Sequence, residues 1–203
     1  MNLDQQKTVQ QHFENMFREN KTPWRHTEVE PLFDEFFQIL VDKKPNAKIL
    51  DIGCGDGWAT IYAAKRGFEA WGMDSSSTAI TKAAGKAKVQ NVTNLAHFGV
   101  GDVFNLKYSS GFFDAIIDGG LFHHIIPENR VLYFENVVRV LKEDSYFYLS
   151  AFSKSTPTKI GYHFTPKEIE KLFSQWFSVI KYSADEEIPD APFLTLHYIL
   201  RHG

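Results

Sequence analysis

The sequence predicts an α/β fold built on a doubly wound, mostly parallel β-sheet with helices on both faces. Three observations support this fold class. Strand-like and helix-like segments alternate from residue 46 onward, a glycine-dense turn follows the first strand, and the chain ends on two strands with no helix between them. Parallel strands need a long crossover, so we expect the last two strands to form an antiparallel hairpin at the sheet edge.

The first 45 residues are predicted to be helical. Residues 3–20 place their apolar side chains roughly on one helical face, and residues 31–41 form a second helix that begins at Pro31. We expect residues 1–45 to form a helical cap over the active site and residues 46–203 to form a Rossmann-like domain.

Aromatic side chains in this N-terminal segment are candidates for contact with a ligand. We expect Trp24, together with Phe13 and Phe17, to close over the pocket. An aromatic face near a cationic group gains cation–π attraction of about 1 kcal/mol. The alternative is that these rings fill the core beneath the two helices.

The rest of the chain divides into strands and helices by hydrophobic periodicity. Strands are predicted at residues 47–52, 68–73, 95–100, 113–118, 145–151, 177–182 and 193–200. Helices are predicted at residues 58–66, 76–90, 128–142 and 165–175.

Composition restricts the class of protein. The chain has 203 residues, a net charge of -3 and one cysteine, Cys54, which cannot form an internal disulfide. No signal-peptide pattern or membrane-length apolar run is evident. We expect a cytoplasmic monomer or homodimer that binds a small molecule, with no nucleic-acid or membrane partner and no metal site.

The glycine-dense turn at residues 49–60 is the strongest motif. A strand, a tight turn and a helix N-terminus bring backbone N–H groups close to a ligand. The spacing of Gly53 and Gly55 matches a dinucleotide fingerprint, but Trp58 occupies the third glycine position. A nicotinamide-dependent oxidoreductase therefore loses its main support.

The acidic-x-G-x-G-x-G pattern, which begins at Asp51, resembles class I S-adenosylmethionine-dependent methyltransferases. Asp74 ends the second strand and is expected to accept the ribose hydroxyls; the alternative is capping of the next helix. By the same resemblance, Asp102 reaches the adenine amino group and Val103 packs on the ring, unless Asp102 only forms a turn. Asp118 lies at the switch point of the sheet.

The resemblance implies a strand order of 3-2-1-4-5-7-6 with the last strand antiparallel. It also implies S-adenosyl-L-methionine as the cofactor and S-adenosyl-L-homocysteine as its product. The expected cofactor-binding residues are Asp51, Gly53, Gly55, Asp74, Ser75, Asp102, Val103, Asp118, Gly119 and Trp24.

The sequence gives weaker evidence for a general base than for the cofactor site. His123 and His124 follow the fourth strand and are candidate general bases, because histidine titrates near neutral pH. The alternative is that both histidines pack and hydrogen-bond locally. Cys54 is expected to be a small turn residue, not a nucleophile.

A narrower resemblance links residues 113–173 to the thiopurine and tellurite-resistance branch of small-molecule methyltransferases. It rests on Pro127, Arg130 and Tyr133 in a P-x-x-R-x-x-Y pattern. The branch often has an arginine where this chain has Gly119, so thiopurine-like specificity is not implied.

Candidate substrate-binding residues follow from this resemblance and from the loop after the fifth strand. Arg130 is a candidate anchor for the substrate, or else a solvent-facing helix residue. Tyr162 and His163 lie in the loop at residues 153–164, at the functional edge of the sheet.

The leading hypothesis is an S-adenosylmethionine-dependent methyltransferase acting on a sulfur, oxygen, nitrogen or metalloid atom of a small molecule. A binding module that holds cofactor or metabolite without turnover is the main alternative. A nucleic-acid methyltransferase is poorly supported, because the chain has no basic stripe.

Overall fold

The computed structural model describes residues 3–23, 29–185 and 193–203. Seven strands form one sheet in the order β3-β2-β1-β4-β5-β7-β6, as predicted. The strands are β1 (Lys48–Ile52), β2 (Glu69–Asp74), β3 (Ala96–Val100), β4 (Phe113–Asp118), β5 (Leu141–Phe152), β6 (Ser178–Ala184) and β7 (Thr195–His202).

Helices lie on both faces of this sheet. They are α1 (Leu3–Arg18), α2 (Pro31–Lys43), α3 (Trp58–Lys65), α4 (Ser77–Val89), α5 (Arg130–Val140) and α6 (Pro166–Phe173). Short 3₁₀ turns occur at Val103–Asn105, Phe122–His124 and Pro127–Asn129.

The sheet is parallel except at β7. β1 pairs in parallel with β2 and β4, whereas β7 runs antiparallel to both β5 and β6. The antiparallel hairpin predicted from the missing crossover is therefore confirmed. It brings the N-terminal end of β7 beside the carboxyl end of β5, where Phe152 pairs with Thr195.

Adjacent residues of the central strands pack into two different hydrophobic clusters. On β1, Ile49 packs in the cluster that contains α2, whereas Leu50 packs in the cluster that contains α5 and α6. Both side chains are fully buried. A strand covered on both faces is apolar at every position, which is why residues 49–52 are largely apolar.

The two N-terminal helices have different positions. The side chains of Phe33, Phe36 and Phe37 on α2 pack against the sheet. No residue of α2 borders the cavity described below, whereas seven described residues of α1 do. The division into a cap (1–45) and a catalytic domain (46–203) stays a prediction.

Element boundaries differ from the predictions at several places. β5 begins at Leu141, directly after α5, because Leu141 pairs with Phe113 ahead of an irregularity in the β4–β5 register. α6 begins at Pro166 under a capping box in which Thr165 and Glu168 satisfy each other's backbone N–H groups. The pairing of Leu141 with the distant Phe113 leaves no trace in the local hydrophobic periodicity, so the start of β5 could not be predicted from the sequence.

Candidate functional site

A cavity of about 570 Å³ lies between α1 and the carboxyl ends of the parallel strands. Open α/β sheets bind their ligands in this crevice, outside the strand ends. The ends of five strands and the loops after them enclose it, together with the start of β7 and with α1. Its lining includes Gly53, Gly55, Asp74, Ser75, Gly101, Val103, Phe104, Gly119, Gly120, Leu121, Phe152, Thr195 and His197.

The glycine turn forms one wall of the cavity. Gly53 has φ +70°, and a Cβ there would lie 2.9 Å from the Cβ of Leu121. Its backbone N–H donates to the Met73 carbonyl oxygen at 2.8 Å, which fixes the turn to the neighbouring strand. Only glycine combines this dihedral with so close an approach.

Gly57 and Trp58 serve packing at the start of α3. At Gly57, φ is +85° and a Cβ would lie 2.8 Å from the Ala83 Cβ. Trp58 stacks on Tyr62 with ring centroids 5.4 Å apart and packs against Phe33 at 5.2 Å. The bulky indole is therefore accommodated toward α2 and does not obstruct the turn.

Asp51 and Asp118 support the loops from below. The Asp51 carboxylate accepts bonds from the Thr60 backbone N–H at 3.0 Å and the Thr60 hydroxyl at 2.7 Å. Asp118 accepts from three consecutive backbone N–H groups after β4 and from the Tyr133 hydroxyl at 2.7 Å. Neither carboxylate is among the described residues that line the cavity.

Burial shifts the pKa of both supporting carboxyls upward. Loss of solvent raises the pKa of Asp51 to about 7 and that of Asp118 to about 6, despite the hydrogen bonds that oppose the shift. Their proposed contacts with the cofactor stay predictions, and the contacts seen are with the turns that border the cavity.

Asp74 lines the cavity directly. Its two oxygens accept the backbone N–H groups of Gly55 at 2.9 Å and Ser76 at 2.8 Å. The N-cap of α4 is Ser76, whose hydroxyl accepts the Ala79 N–H at 3.0 Å. Asp74 is thus not the capping residue, and it is available at the cavity wall for the predicted ribose contact.

Asp102 and Val103 occupy different positions at the end of β3. Asp102 caps the following 3₁₀ turn by accepting the Phe104 N–H at 3.0 Å, and it is not among the described lining residues. Val103 lines the cavity, as its predicted contact with an adenine ring requires. The adenine role of Asp102 stays a prediction, since its observed bond is that of a turn-forming residue.

Polar contacts attach α1 above the cavity. Gln6 is 3% exposed; its amide donates to the His124 carbonyl oxygen at 3.1 Å and accepts the Ile126 N–H at 3.1 Å. Near the other end of α1, Glu14 accepts the hydroxyls of Ser76 at 2.6 Å and Thr78 at 2.5 Å. α1 is therefore joined to both sides of the crevice.

His123 and His124 both line the cavity. The His123 ring stacks on Phe152 with centroids 3.6 Å apart, and its Nδ1 is buried without a hydrogen-bond partner among the described residues. Burial lowers the pKa of His123 well below its usual value and that of His124 to about 4. Both rings are therefore neutral at pH 7 and are weak proton acceptors there. Their role as general bases stays a prediction, and the lowered pKa values do not favour it.

The remaining predicted substrate residues lie beside the cavity. The Arg130 guanidinium lies 5.5, 4.9 and 5.1 Å from the rings of Phe122, Tyr162 and Phe164. Arg130, Tyr162 and His163 are absent from the lining within the described ranges, whereas Ile160 from the same loop is present. Trp24 lies outside the described residues. The proposed contacts of these side chains with substrate stay predictions.

A polar cluster at the β7 end of the cavity was not predicted. Thr195 and His197 line the cavity and contact three further side chains that are distant in sequence, namely Glu30, Tyr148 and Asp185. The only local signal is the polar pair Thr195 and His197, two residues apart in the otherwise apolar residues 193–200. Such a pair points to one face of the sheet.

The opposite end of the cavity suits a nucleoside cofactor. A Cβ added to Gly119 meets no atom within 4 Å, so this part of the backbone borders open space. Asp74 presents a carboxylate, and Val103 and Phe104 present apolar surface. The predicted contacts of these residues with a ribose, an adenine ring and an amino-acid portion stay predictions.

Comparisons with known proteins agree with this geometry. A model of the methyltransferase domain matches residues 49–144. The chain is 31% identical over 162 residues to 2-heptyl-1-hydroxyquinolin-4(1H)-one methyltransferase of Mycobacteroides abscessus, covering 78% of this chain and 70% of that protein. It is 33% identical over 99 residues to norajmaline N-methyltransferase of Rauvolfia serpentina, covering 48% of this chain and 33% of that protein.

Solved structures show the same fold. Burkholderia thailandensis 1,6-didemethyltoxoflavin-N1-methyltransferase, solved with 1,6-didemethyltoxoflavin and S-adenosylhomocysteine, has a TM-score of 0.82 at 21% identity, covering 100% of this chain and 90% of that one. Magnesium protoporphyrin IX methyltransferase of Synechocystis, solved with S-adenosylhomocysteine, has a TM-score of 0.76 at 17% identity, covering 98% and 99%.

Proposed function

This chain belongs to the class I S-adenosylmethionine-dependent methyltransferases, and we propose that its methyl acceptor is a small, apolar heteroaromatic molecule. The observation that carries this proposal is the lining of the cavity. Beyond the cofactor end, the walls consist mainly of aromatic and aliphatic side chains from α1, from the segment after β4, from the end of β5 and the loop after it, and from the residues before β7: Val9, Phe13, Met16, Ile125, Phe152, Ile160 and Phe193.

Charge at the cavity supports the same class of acceptor. Among the described lining residues there is no lysine or arginine, and Asp74 is the one carboxylate. A phosphorylated or polyanionic acceptor would therefore lose its hydration without gaining a counter-charge. The basic groove that tracks a nucleic-acid backbone is likewise missing from these residues.

The residues around the cofactor end support binding of S-adenosylmethionine, which supplies an electrophilic methyl group when bound. Asp74 would hold the ribose hydroxyls, and Val103 would pack on the adenine. The glycine turn and Gly119 would leave the backbone accessible to the methionine portion. The chain's own contribution to rate is then to orient the acceptor and exclude water, because in-line displacement depends strongly on positioning.

Names of related proteins support a heteroaromatic acceptor. The Mycobacteroides relative is named for a hydroxyquinolone, and the Burkholderia structure contains a didemethyltoxoflavin. Nitrogen and oxygen nucleophiles are the acceptor atoms that we favour for this chain. Sulfur and metalloid acceptors, which the sequence leaves open, form the rest of the proposed range.

We also propose a cytoplasmic protein that acts as a monomer or homodimer, without a nucleic-acid or membrane partner. The single cysteine, Cys54, is buried and free. No helix within the described part of the chain is long and apolar enough to cross a membrane.

The test is an acceptor screen with purified protein. S-Adenosylhomocysteine formation is measured with hydroxyquinolines, hydroxyquinolones, nitrogen heterocycles and heteroaromatic thiols, with a phosphorylated nucleoside as the charged comparison. We expect turnover with at least one uncharged heteroaromatic and none with the phosphorylated compound. Preference for the phosphorylated compound, or turnover with no heteroaromatic, would contradict the proposal.

A further inference from the structure

The polar cluster at the β7 end of the cavity has a connected hydrogen-bond network. The Thr195 hydroxyl donates to an oxygen of Asp185 at 2.6 Å and lies 2.7 Å from Nε2 of His197. Nε2 of His197 is also 3.2 Å from the other Asp185 oxygen. On the far side of the ring, Nδ1 lies 2.8 Å from the Tyr148 hydroxyl, which is 3.2 Å from Glu30.

We propose that Thr195 and His197 form a proton relay that takes the proton from a hydroxyl group of the methyl acceptor. The inference rests on the proposed function, because it assigns a chemistry to the acceptor end of the same cavity. It narrows the acceptor to a heteroaromatic hydroxyl that arrives protonated.

The position of the relay fits the acceptor rather than the cofactor. In the strand order, β7 is four steps from β2, which carries Asp74. At about 4.8 Å per strand, the two ends of the cavity are separated by roughly 19 Å. A cofactor that extends from Asp74 to Gly119, directly after β4, therefore leaves the β5 and β7 end for the acceptor.

The network accepts a proton without moving a heavy atom. Before the acceptor binds, the Thr195 hydroxyl donates to Asp185. When the acceptor hydroxyl donates to the Thr195 oxygen, the Thr195 proton turns from Asp185 to Nε2 of His197, while Nδ1 stays protonated and bonded to Tyr148. As the acceptor oxygen bonds to the methyl carbon, the carbon–sulfur bond breaks and its electron pair passes to sulfur. The acceptor proton moves to the Thr195 oxygen, and the Thr195 proton moves to Nε2.

Two carboxylates compensate the positive charge on the resulting imidazolium. Asp185 faces Nε2 directly, and Glu30 accepts from Tyr148, whose oxygen in turn accepts the Nδ1 proton. Burial by itself raises the pKa of Asp185, but its hydrogen bonds from His197 and Thr195 outweigh that effect and lower the pKa to about 2. Asp185 therefore stays ionised as the counter-charge. Burial raises the pKa of Tyr148 well above its usual value, so Tyr148 stays a neutral connector.

The first test compares Thr195→Val, Thr195→Ser and His197→Gln with wild type. The substrates are a hydroxyl acceptor from the screen and its fluorinated derivative, whose hydroxyl is already ionised at the assay pH. Thr195→Val and His197→Gln should lose about 100-fold or more in kcat with the protonated acceptor, the usual size of a general-base effect. The ionised acceptor should lose little, and Thr195→Ser should retain most activity with both.

His202→Gln is the matched control. His202 lies on the same strand, at the opposite end from the cavity, and its Nδ1 contacts the Trp176 carbonyl at 2.9 Å. This variant should keep wild-type kcat with both acceptors. Thermal unfolding and equilibrium binding of S-adenosylhomocysteine, measured for every variant, identify losses caused by misfolding or by cofactor binding.

A second measurement is the pH dependence of kcat. In His197→Gln, kcat with the protonated acceptor should rise as the acceptor ionises in solution. Equal losses with both acceptors, an effect on KM alone, or wild-type methylation of nitrogen or sulfur acceptors but of no hydroxyl would each overturn the relay. If wild type methylates nothing in the screen, the proposed function fails and not only the relay.

Discussion

At the scale of single residues, the acidic side chains of the site divide into two kinds. Asp51 and Asp118 accept bonds from the turns beneath the cavity, whereas Asp74 meets the cavity itself. Asp74 and Asp118 end their strands and Asp51 is next to the last residue of its strand, so the pattern identified them together. Which of these carboxylates meets the cavity depends on the direction in which its side chain points, and only the folded sheet sets that direction.

Asp74→Asn tests the cofactor role without removing the shape of the side chain. We expect S-adenosylhomocysteine to bind more weakly by about 1 to 3 kcal/mol, because bonds from the ribose hydroxyls to a charged acceptor are lost. Isothermal titration calorimetry measures the effect.

The matched control for this substitution is Asp56→Asn. Asp56 lies in the glycine turn, next to Gly55, whose N–H donates to Asp74, but the Asp56 side chain pairs with Lys86 on the exposed surface. The Asp56→Asn variant should therefore bind like wild type. Equal affinity in Asp74→Asn and wild type would remove Asp74 from the ribose role.

At the scale of elements, α1 closes the crevice by bridging its two sides. Gln6 binds the backbone after β4, and Glu14 binds the start of α4. The sequence predicted a helix here with an apolar face toward the pocket, and Phe13 and Phe17 do line the cavity. It did not separate α1 from α2, since both helices are amphipathic and only packing shows which one covers the sheet.

Gln6→Ala tests whether this attachment supports ligand binding. Truncation leaves the Ile126 N–H and the His124 carbonyl without their partner, and an unsatisfied buried group costs about 1 to 3 kcal/mol. We expect faster amide hydrogen exchange in α1 and weaker S-adenosylhomocysteine binding, with little change in exchange within the sheet.

Gln11→Ala is the control for the change in helix propensity. Gln11 lies on the same helix and its amide contacts the exposed Asn15. Hydrogen exchange in α1 that is the same in both variants would show that the Gln6 contacts do not hold the helix.

At the scale of the whole molecule, buried carboxyls lie beneath the turns that border the cavity, and this links stability to pH. The pKa of Asp51 is raised to about 7 and that of Asp118 to about 6, above their unfolded values. The folded state therefore binds more protons than the unfolded state between about pH 4 and pH 7. The stability from these groups is present at the acidic end of that range and is lost as pH rises through their folded pKa values.

We expect the free energy of unfolding in urea to receive a falling contribution from these groups between about pH 4 and pH 7. Asp51→Asn should flatten that dependence, because the amide does not titrate. Asp144→Asn, a change at an exposed carboxylate paired with Arg201, should leave it unchanged. A pH dependence that is identical in wild type and Asp51→Asn would contradict the assignment.

The sequence by itself determined the features that depend on neighbours along the chain. The alternation of strands and helices, the glycine turn with Asp74 twenty-one residues after Gly53, and the closing hairpin each leave a local pattern. Those patterns were enough to predict the fold class, the family resemblance and the cofactor.

Only the tertiary structure decided what surrounds the acceptor. Arg130 matched a sequence pattern, yet its guanidinium packs among aromatic rings beside the cavity. Conversely, the network of Glu30, Tyr148, Asp185, Thr195 and His197 joins residues up to 167 positions apart. Pairing of β7 with both β5 and β6, and packing of the start of α2 against the sheet, bring them together. Local pattern reports which face a residue occupies, whereas contact between distant strands depends on how the whole sheet assembles.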